Sequence, residues 1–287
     1  MKPLKLLVIP FIAALGLAGL VAIAAEPAAP AVPAGPPGGP PQGPRNLMIK
    51  ADDARVQNRT YHFDATNEEM PYSVFVSSKV DKKKPAPLIV TLHGLGMGPG
   101  IMMRAKALEL AEAGGYILVA PMGYNIGGWY GSPVINMQRD KPVEPANLAE
   151  LSEQDVMNVL GIVRKEFNVD PKRTYLMGHS MGGAGTLFLG SKHKNEWAAI
   201  AALAPAAFLL QPNIPAILDP LKDKPIMIVQ GDKDTLVPPQ NTHAWVDYLK
   251  DHKMNYQYIE IPGADHGSVI DQGLPDIYAF FAKQTRK

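Results

Sequence analysis

Short apolar runs that alternate with amphipathic stretches restrict the fold of this chain more than any other feature. The segment 88–92, with the sequence LIVTL, is almost wholly apolar, as expected of a parallel strand buried on both faces. The segment 147–167 instead repeats apolar residues at helical spacing. Further strands are predicted at 72–77, 116–120, 173–177, 197–203, 225–229 and 255–261, and further helices at 99–114, from Gly182 onward, at 239–252 and at 274–283. This order predicts an α/β fold with a mostly parallel central sheet and helices on both faces.

The composition narrows the chemistry that is open to the chain. Its 287 residues, 46% of them hydrophobic, suffice for one sizeable core. A formal net charge of +1 gives no basic excess, so we do not expect a nucleic-acid partner. The chain has no cysteine, which excludes disulfides, thiolate metal ligands and a thiol nucleophile.

The N-terminus has the pattern of an export signal. Lys2 and Lys5 precede an apolar run at 6–25, in which Ala22 and Ala24 have the small-x-small spacing that signal peptidase cleaves. The run is also long enough for an uncleaved membrane anchor, but no basic residues flank its end. We therefore expect a signal peptide at 1–25, a secreted or periplasmic protein, and no stable membrane association after cleavage.

The segment that follows the predicted signal differs in composition from the rest of the chain. Residues 26–45 are almost entirely proline, glycine and alanine, which cannot form a core. We expect a linker at 26–45 and a catalytic domain at 46–287.

A serine between two glycines is the strongest candidate for chemistry. The sequence GHSMG at 178–182 follows a predicted strand and precedes a predicted helix, which is the context in which G-x-S-x-G forms a sharp turn that exposes Ser180. In that context the amide of Met181 would lie at a helix N-terminus, facing negative charge that develops on a substrate. The alternative is a glycine-rich turn with a solvated serine. The glycine-rich loop at 94–100 fits neither the dinucleotide-binding nor the P-loop motif.

Four motifs in order resemble one enzyme group. They are LHG at 92–94, GHSMG at 178–182, GDKDTLVP at 231–238 and GADHG at 263–267. From about Asn46 to its C-terminus the chain resembles α/β-hydrolases of the esterase D, feruloyl esterase and polyhydroxybutyrate-depolymerase-like group. The resemblance implies an α/β-hydrolase fold, with a catalytic serine, acid and histidine in that order. Because the segment 205–224 is short, we expect no large lid domain.

The same resemblance suggests the residues that complete the site. Its motif register favours Asp234 as the acid, with Asp232 as the rival, and places His266 as the general base. By resemblance, the amide of Leu95 would join that of Met181 in an oxyanion hole. We expect no metal and no organic cofactor.

A long segment that begins after the strand at 116–120 lacks a clear helix or strand pattern and should border the site. Its aromatic residues Tyr124, Trp129 and Tyr130 are candidate substrate contacts, with ordinary loop packing as the equal alternative. His179 is a further candidate, although the turn should direct its side chain away from that of Ser180.

Together these features predict a serine hydrolase that cleaves carboxylic esters through an acyl-enzyme. The expected substrates are small or aryl esters or polyester chains. A prolyl-oligopeptidase-like peptidase and a non-catalytic binding protein of the same fold remain alternatives, because fold alone does not determine the substrate.

Overall fold

A computed structural model of the protein describes residues 48–132, 144–207 and 217–286. The predicted signal peptide at 1–25 and the predicted linker at 26–45 lie outside these ranges. So do residues 208–216 of the segment 205–224, in which no large lid is expected. Within the described ranges, no helix is both long and apolar enough to cross a membrane.

An eight-stranded sheet forms the centre of the fold, with strand order β1-β2-β4-β3-β5-β6-β7-β8. β1 and β2 pair antiparallel, as do β2 and β4, and all other neighbours are parallel. The strands are β1 Gln57–Phe63, β2 Glu68–Val76, β3 Ala86–Leu92, β4 Ile117–Pro121, β5 Val169–His179, β6 Ala199–Leu203, β7 Ile226–Gly231 and β8 Tyr256–Ile261.

Helices cover both faces of this sheet. Leu88 and Val90 of β3 pack in one apolar cluster with residues of α2, α3 and α4, whereas Ile89 packs in a second cluster with α1 and α5. The predicted α/β-hydrolase architecture, a mostly parallel sheet between two helical layers, is confirmed. The helices are α1 Ala105–Gly114, α2 Leu148–Glu166, α3 Met181–Lys192, α4 Pro239–Asp251 and α5 Ser268–Phe281.

Some element boundaries differ from the prediction. The edge strand β1 was not predicted, because most of its side chains are polar and at least partly exposed. The stretch 99–114 is divided into a short 3-10 turn, Pro99–Met102, and α1. The last helix starts at Ser268 instead of 274, and the Asp265 carboxylate accepts hydrogen bonds from the amides of Gly267 and Ser268 at its start.

The carboxyl ends of the parallel strands place the four sequence motifs at one edge of the sheet. β3, β5, β7 and β8 run parallel, and each is followed directly by one of the predicted site loops. In open α/β sheets this edge is where ligands bind.

Candidate active site

A strained turn connects β5 to α3 and carries Ser180. Its φ of 58° and ψ of −115° are unfavourable for a residue with a side chain. The flanking glycines allow the close approach of neighbouring backbone: a Cβ on Gly178 would lie 2.3 Å from the Gly182 carbonyl oxygen, and one on Gly182 would lie 2.2 Å from that of Leu92. The motif therefore contains glycine where no other residue fits.

Main-chain hydrogen bonds hold this turn. The Ser180 amide donates to the Leu203 carbonyl at 2.9 Å, and the Ser180 carbonyl accepts from the amides of Ala184 and Ala206, both at 3.0 Å. The Ser180 hydroxyl is not needed for any of these bonds, and the side chain faces a cavity.

His266 and Asp234 form a hydrogen-bonded pair beside this turn. Nδ1 of His266 donates to Oδ2 of Asp234 at 2.7 Å, and the Asp234 side chain is buried. Its other oxygen accepts from the amides of Leu236 and Val237, both at 2.9 Å. Burial alone would raise the pKa of Asp234, but the His266 and main-chain hydrogen bonds outweigh it, so the pKa lies below its usual value.

Asp232, the rival acid, points elsewhere. Its carboxylate accepts a hydrogen bond from the Gly263 amide at 2.7 Å and lies 3.6 Å from the Lys233 ammonium. It therefore joins two loops at the surface, whereas Asp234 is the acid in contact with the histidine.

Gln230 is a site residue that the sequence analysis missed. Its amide nitrogen donates to Asp234 Oδ2 at 3.2 Å and to the Val237 carbonyl at 3.0 Å, while its oxygen accepts from the Thr242 hydroxyl at 2.6 Å. The sequence contains a pattern that could have indicated this role, because Gln230 is a polar residue near the end of the otherwise apolar, fully buried strand β7.

His179 connects the turn to the loop of the histidine. Its Nε2 donates to the main-chain carbonyl of His266 at 2.7 Å, and the two rings are 4.5 Å apart. Burial, followed by the charges of His266 and Arg104, lowers the pKa of His179 to about 3. The ring is therefore neutral at physiological pH, and it holds His266 while also lining the cavity.

A cavity of about 490 Å³ opens above Ser180. Ser180 and His266 both line it, although within the described ranges no hydrogen bond joins their side chains. Such bonds are often long before substrate binds. The walls are mainly apolar, and two of their residues are unusually exposed for their type, Leu95 at 41% and Leu236 at 70%. The other apolar side chains of the wall are Met97, Ile101, Trp129, Ala206, Val237 and Ile270.

The amides of Met181 and Leu95, the predicted oxyanion-hole donors, belong to chain segments beside Ser180. That of Met181 lies in the first turn of α3, where N–H groups have no acceptor inside the helix. That of Leu95 donates to no main-chain carbonyl in the described part of the chain. The Leu95 loop passes close to the turn, since a Cβ on Gly94 would lie 3.4 Å from the Cβ of Ser180.

The three aromatic candidates have different positions. Trp129 lines the cavity. Tyr130 is fully buried and does not line the cavity, and its hydroxyl donates to the His93 carbonyl at 3.1 Å. Tyr124 does not line the cavity, and its hydroxyl donates to Glu68 at 3.1 Å.

Buried polar side chains of α2 hold this aromatic loop. The Asp155 carboxylate accepts from the Tyr61 hydroxyl and the Gly123 amide, both at 2.6 Å, and from the Tyr124 amide at 3.2 Å. Ser152 accepts from the Tyr130 amide at 2.9 Å and donates to the Gly123 carbonyl at 2.7 Å.

The loop in turn contacts the strand end that precedes Leu95. The Gly96 amide donates to the Ile126 carbonyl at 2.8 Å, and the His93 ring lies 2.7 Å from the Met122 carbonyl oxygen. The polar residues of α2 therefore support the cavity wall through the loop.

In the three described stretches of the chain, no group of three or more histidine, cysteine, aspartate or glutamate side chains could hold a metal ion.

Comparison with known proteins finds similarity to esterases and related hydrolases. The chain is 29% identical over 189 residues to the bifunctional acetylxylan esterase/xylanase XynS20E of Neocallimastix patriciarum, covering 62% of this chain and only a quarter, 25%, of that protein. An S-formylglutathione hydrolase of Agrobacterium tumefaciens matches in structure with a TM-score of 0.65 and 17% identity, over 82% of this chain and 98% of its own. A ferulic acid esterase of Anaeromyces mucronatus, solved with ferulic acid, matches with a TM-score of 0.60 and 20% identity, over 84% and 95%.

The sheet order, the strained serine turn and these structural matches define an α/β-hydrolase. Residues 64–269 match the Esterase family model, which covers more than half of the chain. The chain therefore belongs to the Esterase family, and the resemblance seen in the sequence is confirmed.

Proposed function

We propose that the protein is a serine esterase that hydrolyses carboxylic esters, with Ser180 as nucleophile, His266 as general base and Asp234 as the acid that orients the base. The observation that carries the proposal is the strained Ser180 facing an apolar cavity that also exposes the Asp234-bound ring of His266. Membership of the Esterase family supports the same reaction.

Acylation uses these three side chains together. Nε2 of His266 takes the hydroxyl proton of Ser180 while its oxygen bonds to the carbonyl carbon of the ester. Asp234 holds the ring through Nδ1 and stabilises the imidazolium that forms. The tetrahedral intermediate collapses, the ester C–O bond breaks, and His266 gives the proton to the departing alcohol.

Deacylation repeats these steps with water. His266 takes a proton from a water molecule, whose oxygen attacks the acyl carbon. When the bond to Ser180 breaks, the proton returns to the serine oxygen and the carboxylic acid leaves. In both half-reactions the amides of Leu95 and Met181 donate to the oxyanion, and loss of one such donor typically lowers turnover by about 10²–10³-fold.

The shape and lining of the cavity favour small or aryl esters, or the end of a polyester chain, as substrates. Its walls are aliphatic apart from Trp129 and a few polar groups, which suits an apolar acyl or alkyl part. Relatives named for acetylxylan and ferulic acid esters support a carboxylic ester in general. The proposal includes export through a signal peptide at 1–25, followed by a linker at 26–45 and a catalytic domain at 46–287. N-terminal sequencing of the protein secreted by its host tests whether the signal peptide is cleaved.

Hydrolysis of p-nitrophenyl butyrate by the purified protein tests the activity. Ser180→Ala should abolish it and should also prevent labelling by a fluorophosphonate probe. Failure of the intact protein to react with the probe would instead support a binding protein, and faster cleavage of a peptide p-nitroanilide would support a peptidase.

A matched pair of variants tests the acid. Asp234→Asn should lower kcat by about 10⁴-fold, as loss of the correct histidine tautomer does in other triads. Asp232→Asn removes an equivalent carboxylate two residues away that does not touch His266, and it should change kcat little. The opposite result would refute the assignment of Asp234.

A further inference from the structure

Among the described residues of the mainly apolar cavity wall, Arg104 carries the permanent charge. Arg104 immediately precedes α1 and lines the cavity beside Ile101 and Ile270, with 31% of its side chain exposed. Among the described residues that line the cavity, the other titratable side chains are His179 and His266. A guanidinium beside apolar side chains is costly to desolvate, and a carboxylate partner on α5 together with partial exposure offsets this cost for Arg104.

The ion pair that Arg104 forms within the described ranges leaves much of its hydrogen-bonding capacity unused. Nη2 lies 2.8 Å from Oδ2 of Asp271, on α5. The other oxygen, Oδ1, is buried and has no hydrogen-bond partner in the described structure. The pair is therefore not the two-bond fork that arginine and a carboxylate usually form, and guanidinium N–H groups remain that can face the cavity.

The guanidinium shares its cavity with the reaction centre. Arg104, Ser180 and His266 all line the same space of about 490 Å³. An ester whose carbonyl is at Ser180 therefore occupies the cavity that Arg104 borders.

We propose that Arg104 binds a carboxylate at the far end of the acyl part, so that the preferred substrates are monoesters of dicarboxylic acids, including acid-terminated oligoesters. This inference rests on the proposed ester hydrolysis. Arg104 binds the free carboxylate through a charge-assisted hydrogen bond, while the methylene chain lies against Ile101 and Ile270. The carboxylate takes no part in the reaction, which releases the alcohol and the dicarboxylate.

Asp271 competes with such a substrate for the same guanidinium. Replacing it by asparagine removes the competing charge and keeps the side-chain size, so it should strengthen the preference for acidic esters. If Arg104 served only to connect α1 to α5, its replacement would lower activity on charged and neutral esters alike. These helices are also joined by the Tyr278 hydroxyl, which donates to the Ala107 carbonyl at 3.1 Å.

The test compares kcat/KM for p-nitrophenyl monoesters of dicarboxylic acids, from succinate to suberate, with p-nitrophenyl esters of the methyl-terminated acids of the same length. The ratio between the two series isolates the terminal carboxylate. We expect Arg104→Gln to lower this ratio by about tenfold, the effect of one charged hydrogen bond. Asp271→Asn should raise the ratio severalfold.

Lys106→Gln is the matched control, since this exposed cation on α1 pairs with Glu109 and does not line the cavity. It should leave the ratio unchanged. An unchanged ratio in Arg104→Gln, or an equal fall in Lys106→Gln, would overturn the subsite. Absence of hydrolysis of both ester series by the wild-type protein would instead refute the esterase proposal.

Discussion

Replacement of Gly182 by alanine should separate the two loops that meet at the nucleophile. The added Cβ would lie 2.2 Å from the Leu92 carbonyl oxygen and 2.7 Å from that of His93, whereas ordinary contact begins at 3.4 Å. Both neighbours are backbone atoms at the end of β3, so no side-chain rotation relieves the clash. The start of α3 and the end of β3 must therefore move apart by about 1 Å.

This movement has consequences for both stability and catalysis. Overpacking of this kind costs about 1–3 kcal/mol of unfolding free energy. Displacement of the Leu95 amide relative to Ser180 by about 1 Å should lower kcat/KM by about 10²-fold. Thermal unfolding followed by circular dichroism measures the first effect, and hydrolysis of p-nitrophenyl butyrate by the folded protein measures the second.

Gly161→Ala is the control for this prediction. Gly161 lies within α2, and an added Cβ would find no atom within 4 Å. Because glycine inside a helix is less favourable than alanine by about 1 kcal/mol, this variant should be more stable and fully active. Wild-type stability and activity in Gly182→Ala would refute the argument from close approach.

Two further predictions concern buried groups. Burial raises the pKa of Asp155 from 3.8 to about 6. This carboxyl therefore binds its proton more tightly in the folded than in the unfolded state, and its contribution to the free energy of unfolding is lost as pH rises from about 4 to about 6. The Asp155→Asn variant has no carboxyl to titrate, so its free energy of unfolding relative to wild type should rise between about pH 4 and pH 7, by an amount on the order of 3 kcal/mol. Denaturant titrations at several pH values measure this difference, and a difference that does not change with pH would contradict the raised pKa. His179→Phe keeps a ring but removes the hydrogen bond to the His266 carbonyl, and should lower kcat by about tenfold, whereas His252→Phe, at the exposed end of α4, should have no effect. Equal activity of both variants would show that His179 does not position the base.

The sequence predicted the parts of the site that depend on local geometry. Gly178 and Gly182 flank a serine between a strand and a helix, and the structure has the strained turn that this pattern requires. Motif register favoured Asp234 over Asp232, and the hydrogen bond to His266 is made by Asp234.

Features that depend on distant packing were not predictable in this way. The burial of Tyr130 follows from contacts with His93 and α2, which are remote in sequence. Gln230 and Arg104 acquire their positions only when β7 and α1 are placed beside the cavity. An aromatic residue in a loop has the same local pattern whether it faces solvent, substrate or the interior.

The hydrogen bonds described above that hold the turn at Ser180 are all made by its main chain. Because the hydroxyl supports none of them, its removal should leave the turn and the cavity unchanged. A chain with alanine at 180 would then hold an intact ester without cleaving it. Crystals of that variant soaked with candidate esters offer a direct way to observe which compounds the cavity accepts.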